Sequence, residues 1–290
     1  GMLWGEVTLA PGGCAKACLL IACADSLEEA NELLLGADGE ALGAETAAFW
    51  ENHLSQMRLQ APDPLLCALV NRWLPAQALA SRIWGRTGYY QSGGAIGFRD
   101  QLQDAVNMLL ISPAYARERI IDCCRHQYTE GDVMHWWHRH PEGDRGVRTR
   151  CSDDLLWLVW ALCEYTEKTG DYAICDEETL YIASDPLAPN ERDRYETPRR
   201  ADERASVLAH AQTALECCIA RGFGAHGLPR IGRGDWNDAL DEVGGESVWL
   251  AWFLASNAAR FAALLDHLGR EGAARFARCA EKAAQAADKA

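Results

Sequence analysis

The sequence has no run of 18 apolar residues, the length a helix needs to cross a bilayer. Its first stretch, GMLWGEVTLAPGG, has no basic segment leading into an apolar one, so it does not read as a secretory signal. Long Lys/Arg runs are lacking, and the net charge is −14 with a pI near 5.0. That balance argues against nucleic acid and anionic membrane as partners. A neutral ligand fits better, although an anion can still enter a locally basic pocket. None of the twelve cysteines forms a CxxC pair. Most sit in apolar helical contexts such as IIDCCRHQ and ALECCIARG. They read as small buried residues in a reducing, cytoplasmic compartment, not as disulfides or a metal site. GxSxG, Walker and strand-borne GxGxxG patterns are also missing, which removes the usual signatures of serine hydrolases and nucleotide-binding folds.

What is present is a folding composition: 290 residues, 49% hydrophobic and 24% charged, enough for one large domain or two modest ones. Eleven tryptophans stand out. Most of them serve as core filler, but an indole face also stacks well on the CH face of a sugar.

Residues 4–9 and 14–24, joined by PGG, are β-rich and predict a hairpin, the last piece of a larger sheet. SLEEANELLLG opens with a capping box from Ser26 to Glu29 and stops at Gly36. A second helix is predicted over 45–60, and Asp63–Pro64 caps a third that kinks at Pro75. Helical patterns follow over 98–111, 113–127, 152–169, 203–221, 246–268 and 271–288, with Ser152 as a cap and Gly170 as a stop. The connections 129–151, 182–201 and 222–245 are long. Structureless loops of that length are usually functional or disordered, and the Trp, His, Arg and Asp in them favour function. Short and long connections alternating between helices suggest an α/α toroid with its site at the long-loop end.

Three stretches can carry chemistry. YYQSGGAIGFRDQLQDA, from Tyr89 to Ala105, presents Arg99 and Asp100 in the first turn of a helix, where a charged pair can bind hydroxyls; Asp100 can equally be an ordinary acid favouring the helix dipole. EGDVMHWWHRHPEGDRGVRTRCSDD, from Glu130 to Asp154, holds Trp136 and Trp137 as stacking surfaces, Arg148 and Arg150 as cations, and Asp153 and Asp154 as hydroxyl readers or caps. His135, His138 and His140 lack helical i,i+4 spacing and cysteine partners, so no metal is expected. RGDWNDALDEVG, from Arg233 to Gly244, sets Asp235, Asn237 and Asp238 around Trp236. A carboxyl beside an indole is desolvated and its neutral form favoured, which suits a general acid. A helix cap or an Asx-turn remains the competing reading.

Taken together, YYQSGGAIGFRDQLQD, EGDVMHWWH, GVRTRCSDDLLWL, HGLPRIGRGDWND and GGESVWLAWFL, in this order, resemble glycoside hydrolase family 94, inverting phosphorylases of β-linked glucosides. The tryptophan-pair loop and GVRTR look most like the branch of β-1,2-oligoglucan phosphorylases and the phosphorylase region of cyclic β-1,2-glucan synthases. Two positions depart from the family pattern: Gly94 stands where cellobiose phosphorylases carry an arginine, and Ala239 follows WND in place of glycine. The resemblance implies a mainly α chain: the terminal hairpin of a β-sandwich over 1–24, a helical linker over 25–60, and a partial (α/α)6 barrel over 61–290. It implies a fragment of a longer protein, with most phosphate ligands elsewhere. It makes Asp238 the general acid and gives Arg99, Asp100 and Trp236 to the sugar at the cleaved end. Oligosaccharide and inorganic phosphate are the implied partners, phosphate as a co-substrate with no other cofactor. A homodimer is compatible with the full-length protein, and this segment is not expected to enter a membrane. An inverting hydrolase with Asp100 or Asp154 as base, a non-catalytic carbohydrate-binding fragment and a glucan-trimming module of a larger synthase stay open as alternatives.

Overall fold

The computed structural model describes residues 4–85, 93–240 and 243–290. The chain divides into two units, Gly1–Ser55 and Gln56–Ala290. In the first, the expected hairpin over 4–24 does not form. Gly13 N–H closes a turn onto the Ala10 carbonyl at 2.8 Å, but no paired strands flank it. Trp4, Val7, Leu19 and Ile21 are exposed. Two strands without a third are marginal, and here the 14–24 stretch lies against Gly39 through Cys18 and Leu20 and pairs Lys16 with Glu40 in place of strand pairing. Helix α1 (Leu27–Leu35) starts where expected, with Ser26 Oγ accepting from Glu29 N–H at 3.1 Å. Helix α2 (Gly39–Leu54) begins six residues before the predicted start because Asp38 caps it, accepting from the N–H groups of Glu40 and Ala41.

The second unit opens with α3 (Pro64–Ala68), capped by Asp63, and α4 (Leu74–Gln77). Wide π turns at Leu69–Trp73 and Ala78–Trp84 continue the helical path. The first ends with Leu74 N–H reaching back to the Leu69 carbonyl. In place of a simple kink, a widened turn receives Pro75, which has no N–H to donate.

A short strand, β1 (Ile96–Gly97), leads into α5 (Phe98–Asn107), followed by α6 (Pro113–Cys124). The connections then hold strands that the sequence reading did not assign: β2 (Met134–His138) and β3 (Arg145–Arg148), and, after α7 (Leu156–Thr169), β4 (Glu178–Ala183), β5 (Arg194–Glu196) and β6 (Arg199–Ser206), the last of which takes the first four residues of the helix predicted over 203–221 because Ser206 caps the helix that follows. β1-β2-β3-β5 form one antiparallel sheet and β4-β6 a second pair. Gly146 lies so close to the Trp136 carbonyl and Trp137 backbone that any side chain there would collide with them.

Helices α8 (Val207–Ala220), α9 (Val248–His267) and α10 (Ala273–Lys289) complete the unit. α7 is the hub, packed against α5, α6, α8 and α9. It ends at Gly170 in the left-handed conformation (φ 71°), as the sequence implied. α10 lies along α9, burying Ala273, Phe276, Ala280, Ala283 and Ala287 at helical spacing. Phe261 meets Phe276 edge-on at 5.3 Å between ring centroids, and each such ring contributes about 1.5–3 kcal/mol by burial. α9 is long and apolar enough to cross a membrane by length and composition, yet Leu250, Leu254, Ala258, Phe261 and Leu265 are buried in this helical core. The cysteines carry no disulfide. Cys123, Cys124, Cys151, Cys163, Cys175 and Cys218 are buried as expected, whereas Cys14, Cys18 and Cys23 are exposed.

Candidate active site

Three segments distant in sequence converge: the start of α5, the residues before α7, and the 231–240 loop. The last two are joined by backbone. Ser152 N–H donates to the Gly234 carbonyl at 3.0 Å, Arg233 N–H to the Arg150 carbonyl at 3.2 Å, and Cys151 and Gly232 form a bridge. Gly232 is required there. Its φ is 61°, and an added Cβ would lie 2.5 Å from the Arg150 carbonyl oxygen. Ser152 therefore does not cap the helix; its hydroxyl donates to Gly234 at 3.0 Å and ties the loop to α7.

Within the loop, Asp235 is buried and internal. It accepts from Asn237 N–H at 3.0 Å and from Ser247 Oγ at 2.6 Å. Asn237 in turn accepts from Ala239 N–H at 3.1 Å. These two Asx-type contacts shape the turn that presents Trp236, 54% exposed, and Asp238, whose side chain is 60% exposed. Asp241 and Glu242 lie outside the described residues, as do Tyr89 and Tyr90.

Arg99 joins the three segments. Its guanidinium donates to both oxygens of Asp238 (2.9 and 3.0 Å), to Asp153 (3.3 Å) and to the Asp235 carbonyl (3.4 Å). Burial opposes its charge, but Asp153, Asp154 and Asp238 together outweigh that and hold it firmly protonated. Asp153 has no exposed surface and also accepts from Trp157 Nε1 at 2.9 Å. Burial pushes its carboxyl upward, reinforced by the charge of Asp154. Asp154 is buried as well and accepts from His135 Nδ1 at 2.7 Å. Burial would lower His135, yet Asp154 prevails and raises it to about 11, so the ring is an imidazolium at neutral pH.

Asp238 stands on the rim of a cavity of about 400 Å³, with His135, Thr149, Cys151, Arg192, Asp193 and Arg233. A larger cavity of about 790 Å³ lies between β4, β6 and the 139–144 turn, and none of the expected acid or sugar-binding residues lines it. Arg99, Asp154 and Asp238 thus come together, and Trp236 is exposed on the turn that carries Asp238. Asp100 sits partly buried beside Gly97, 3.9 Å from Arg82.

Four expected sugar contacts are placed elsewhere. Trp137 is fully buried and stacked on His126 at 3.8 Å, so neither face is open to a sugar. Arg148, 1% exposed, spends its donors on Asp132, Glu130, Ser184 and the Asp185 carbonyl and lies over the Tyr128 ring at 3.8 Å. It is the internal hub of the two long connections, not a ligand cation. Arg150 donates to the carbonyls of Leu187 and Ala188. Trp136, half-buried in β2, meets Tyr195 and His138 away from the cavity wall. Cys151, taken from sequence as core filler, lines the cavity. No spacing rule pairs it with His135, which stands at a bulge of β2.

The fold resembles a rhamnosidase from Klebsiella oxytoca solved with rhamnose bound (TM-score 0.53, 15% identity, 81% of this chain and 40% of that one). This places the chain among helical, barrel-like domains. It belongs to glycoside hydrolase family 94: residues 49–290 match the Glycosyl hydrolase 94 superfamily, catalytic domain. It is 40% identical over 263 residues to the cyclic beta-(1,2)-glucan synthase NdvB of Rhizobium meliloti, covering 88% of this chain and 9% of that protein. It is 27% identical to an N,N'-diacetylchitobiose phosphorylase of Vibrio proteolyticus (80% and 30%). Identity to a 1,2-beta-oligoglucan phosphorylase of Listeria innocua is 26% (73% and 18%). The chain therefore spans less than a third of these relatives' length.

Proposed function

We propose that this chain is the acid-bearing part of an inverting β-glucoside phosphorylase and forms a portion of an (α/α)6 barrel. Its substrates are a β-linked gluco-oligosaccharide and inorganic phosphate. The observation that carries this reading is Asp238: an exposed carboxyl at a cavity rim, held by Arg99, within a family 94 catalytic domain. Asp238 protonates the glycosidic oxygen as the bond breaks. Phosphate attacks the anomeric carbon from the opposite face and gives an α-sugar-1-phosphate. One acid suffices because phosphate is already nucleophilic, whereas an inverting hydrolase needs a second carboxylate to activate water.

Arg99 donates to both Asp238 oxygens, so one of them is released before the acid can serve the leaving group. Arg99 and Asp100 then bind the sugar at the cleaved end, and Trp236 supplies an exposed face beside it.

A second reading, inverting hydrolysis, rests on Asp193. It lines the same cavity as Asp238, a position neither Asp100 nor Asp154 shares. The test is phosphorolysis of sophoro-oligosaccharides and cellobiose by the full-length protein and its Asp238→Asn variant. Sugar-1-phosphate release should fall by about 10²–10⁴ in the variant. Full activity in Asp238→Asn sinks the acid assignment, and cleavage in phosphate-free buffer that is lost in Asp193→Asn favours hydrolysis.

A further inference from the structure

The cavity wall beside Asp238 carries two donor side chains, His135 and Cys151, that phosphorolysis does not use. His135, Cys151 and Asp238 each offer one ligand-type atom, and all three lie within 4.8 Å of one another. They come from β2, the turn before α7 and the acid loop. His135 Nδ1–H donates to buried Asp154 at 2.7 Å, which leaves its other ring nitrogen for the cavity. A carboxylate behind the imidazole is the arrangement that fixes tautomer and ring direction in metal-bound histidines. Asp154 is 2% exposed, and its Oδ1 has no hydrogen-bond partner among the described residues. The site thus holds buried negative charge beyond what one imidazole hydrogen bond uses.

We propose that His135, Cys151 and Asp238 bind a divalent cation of the zinc class, with the open cavity providing a fourth position for water or a ligand. Nitrogen, sulfur and carboxylate oxygen are the donors such a cation takes. Bonds of about 2.0–2.3 Å in a tetrahedron put donor atoms about 3.3–3.8 Å apart, so side-chain adjustments of about 1 Å close the site. Asp238 stands on an exposed turn and can give one oxygen to the metal while the other stays with Arg99. Loading sends the Cys151 thiol proton and the His135 Nε2 proton to solvent. Neutral imidazole, thiolate and carboxylate then balance the two positive charges. The bound cation covers the carboxyl assigned above as the acid, so it inhibits turnover. That consequence rests on the phosphorylase reading; the binding itself does not.

The test uses Co²⁺ on the full-length protein as a spectroscopic probe. A thiolate-to-cobalt charge-transfer band should saturate at one equivalent and be displaced by Zn²⁺. Cys151→Ser and Cys151→Ala should both lose it, His135→Gln should bind about tenfold more weakly or worse, and Cys163→Ser, in the helical core, should leave it intact. On the unmodified protein, Zn²⁺ should slow iodoacetamide alkylation of Cys151 about tenfold, read by peptide mapping. Absence of the band, its persistence in both Cys151 variants, or unprotected Cys151 overturns the proposal. If the band forms and phosphorolysis is absent even in metal-free buffer, the functional reading has failed and the metal site stands.

Discussion

Replacing Arg99 by methionine removes the cation between three carboxylates and keeps most of its volume. The Asp238 half of the pair is worth little to stability, because that side chain is 60% exposed. The Asp153 half is different: its carboxyl has no exposed surface, and only the Trp157 N–H remains to it. Leaving one partner of a buried pair uncompensated costs about 3–5 kcal/mol. With Trp157 still donating, about 3 kcal/mol is expected, which at about 2–3 kcal/mol/M of urea moves the midpoint by about 1 M. The cost depends on pH. Burial, then Asp154, raises the folded Asp153 carboxyl above its ordinary 3.8. The folded state therefore binds more protons than the unfolded one, and the Asp153 contribution to stability falls as pH rises from 3.8 through the raised value. Loss of Arg99 raises it further, so the gap between native protein and Arg99→Met is wide at pH 7.5 and narrows at pH 5. Adding Asp153→Asn should recover at least half the loss at pH 7.5. Urea unfolding at both pH values checks this. A cost below about 1 kcal/mol, an equal cost at both pH values, or no recovery in the double variant refutes the reasoning.

Arg148→Lys should destabilise by about 3 kcal/mol in thermal or urea unfolding, because a point charge cannot replace the fork that serves Asp132, Glu130 and Ser184 together; an unchanged midpoint contradicts the hub assignment. His135 is raised from 6.5 to about 11, so its pairing with Asp154 stabilises the fold fully below pH 6.5 and that contribution is lost as pH climbs toward 11. The stability difference between native protein and His135→Gln should shrink over that range, and imidazole chemical shifts should show no titration near pH 6.5. Gly232→Ala should cost about 1–3 kcal/mol from its positive φ and the Arg150 carbonyl, and calorimetry would expose an error if the melting temperature held.

Features set by neighbours a few residues away were legible in the sequence. The Ser26 and Asp63 caps and the Gly170 stop are local chemistry, and α7 to α10 follow apolar spacing that a single helix defines. Strand pairing is not local. β2 finds β1 forty residues upstream and carries a bulge between Met134 and Trp136, which breaks the alternation a reader would look for. Arg148 and Trp137 looked like surface residues because they stand in a polar connection. Their burial comes from Asp132, Ser184 and His126, which no spacing rule links to them. Asp238, Trp236 and Arg99 were singled out by their motifs, but no spacing rule links Arg99 to Asp238 or brings Cys151 to the same cavity.

The backbone seam between 150–152 and 231–234 separates two jobs that enzymes often entangle. The whereabouts of Asp238 are written in amide-to-carbonyl contacts, two glycines of positive φ and the Asx contacts of Asp235 and Asn237, none of which uses a side chain that lines the cleft. Arg192, Asp193 and Arg233 can therefore be exchanged by mutation to reshape what the cleft accepts while Asp238 stays at its station. On the proposed phosphorylase reading, a scaffold organised this way can drift from one glucoside to another in single steps, each retaining a working acid.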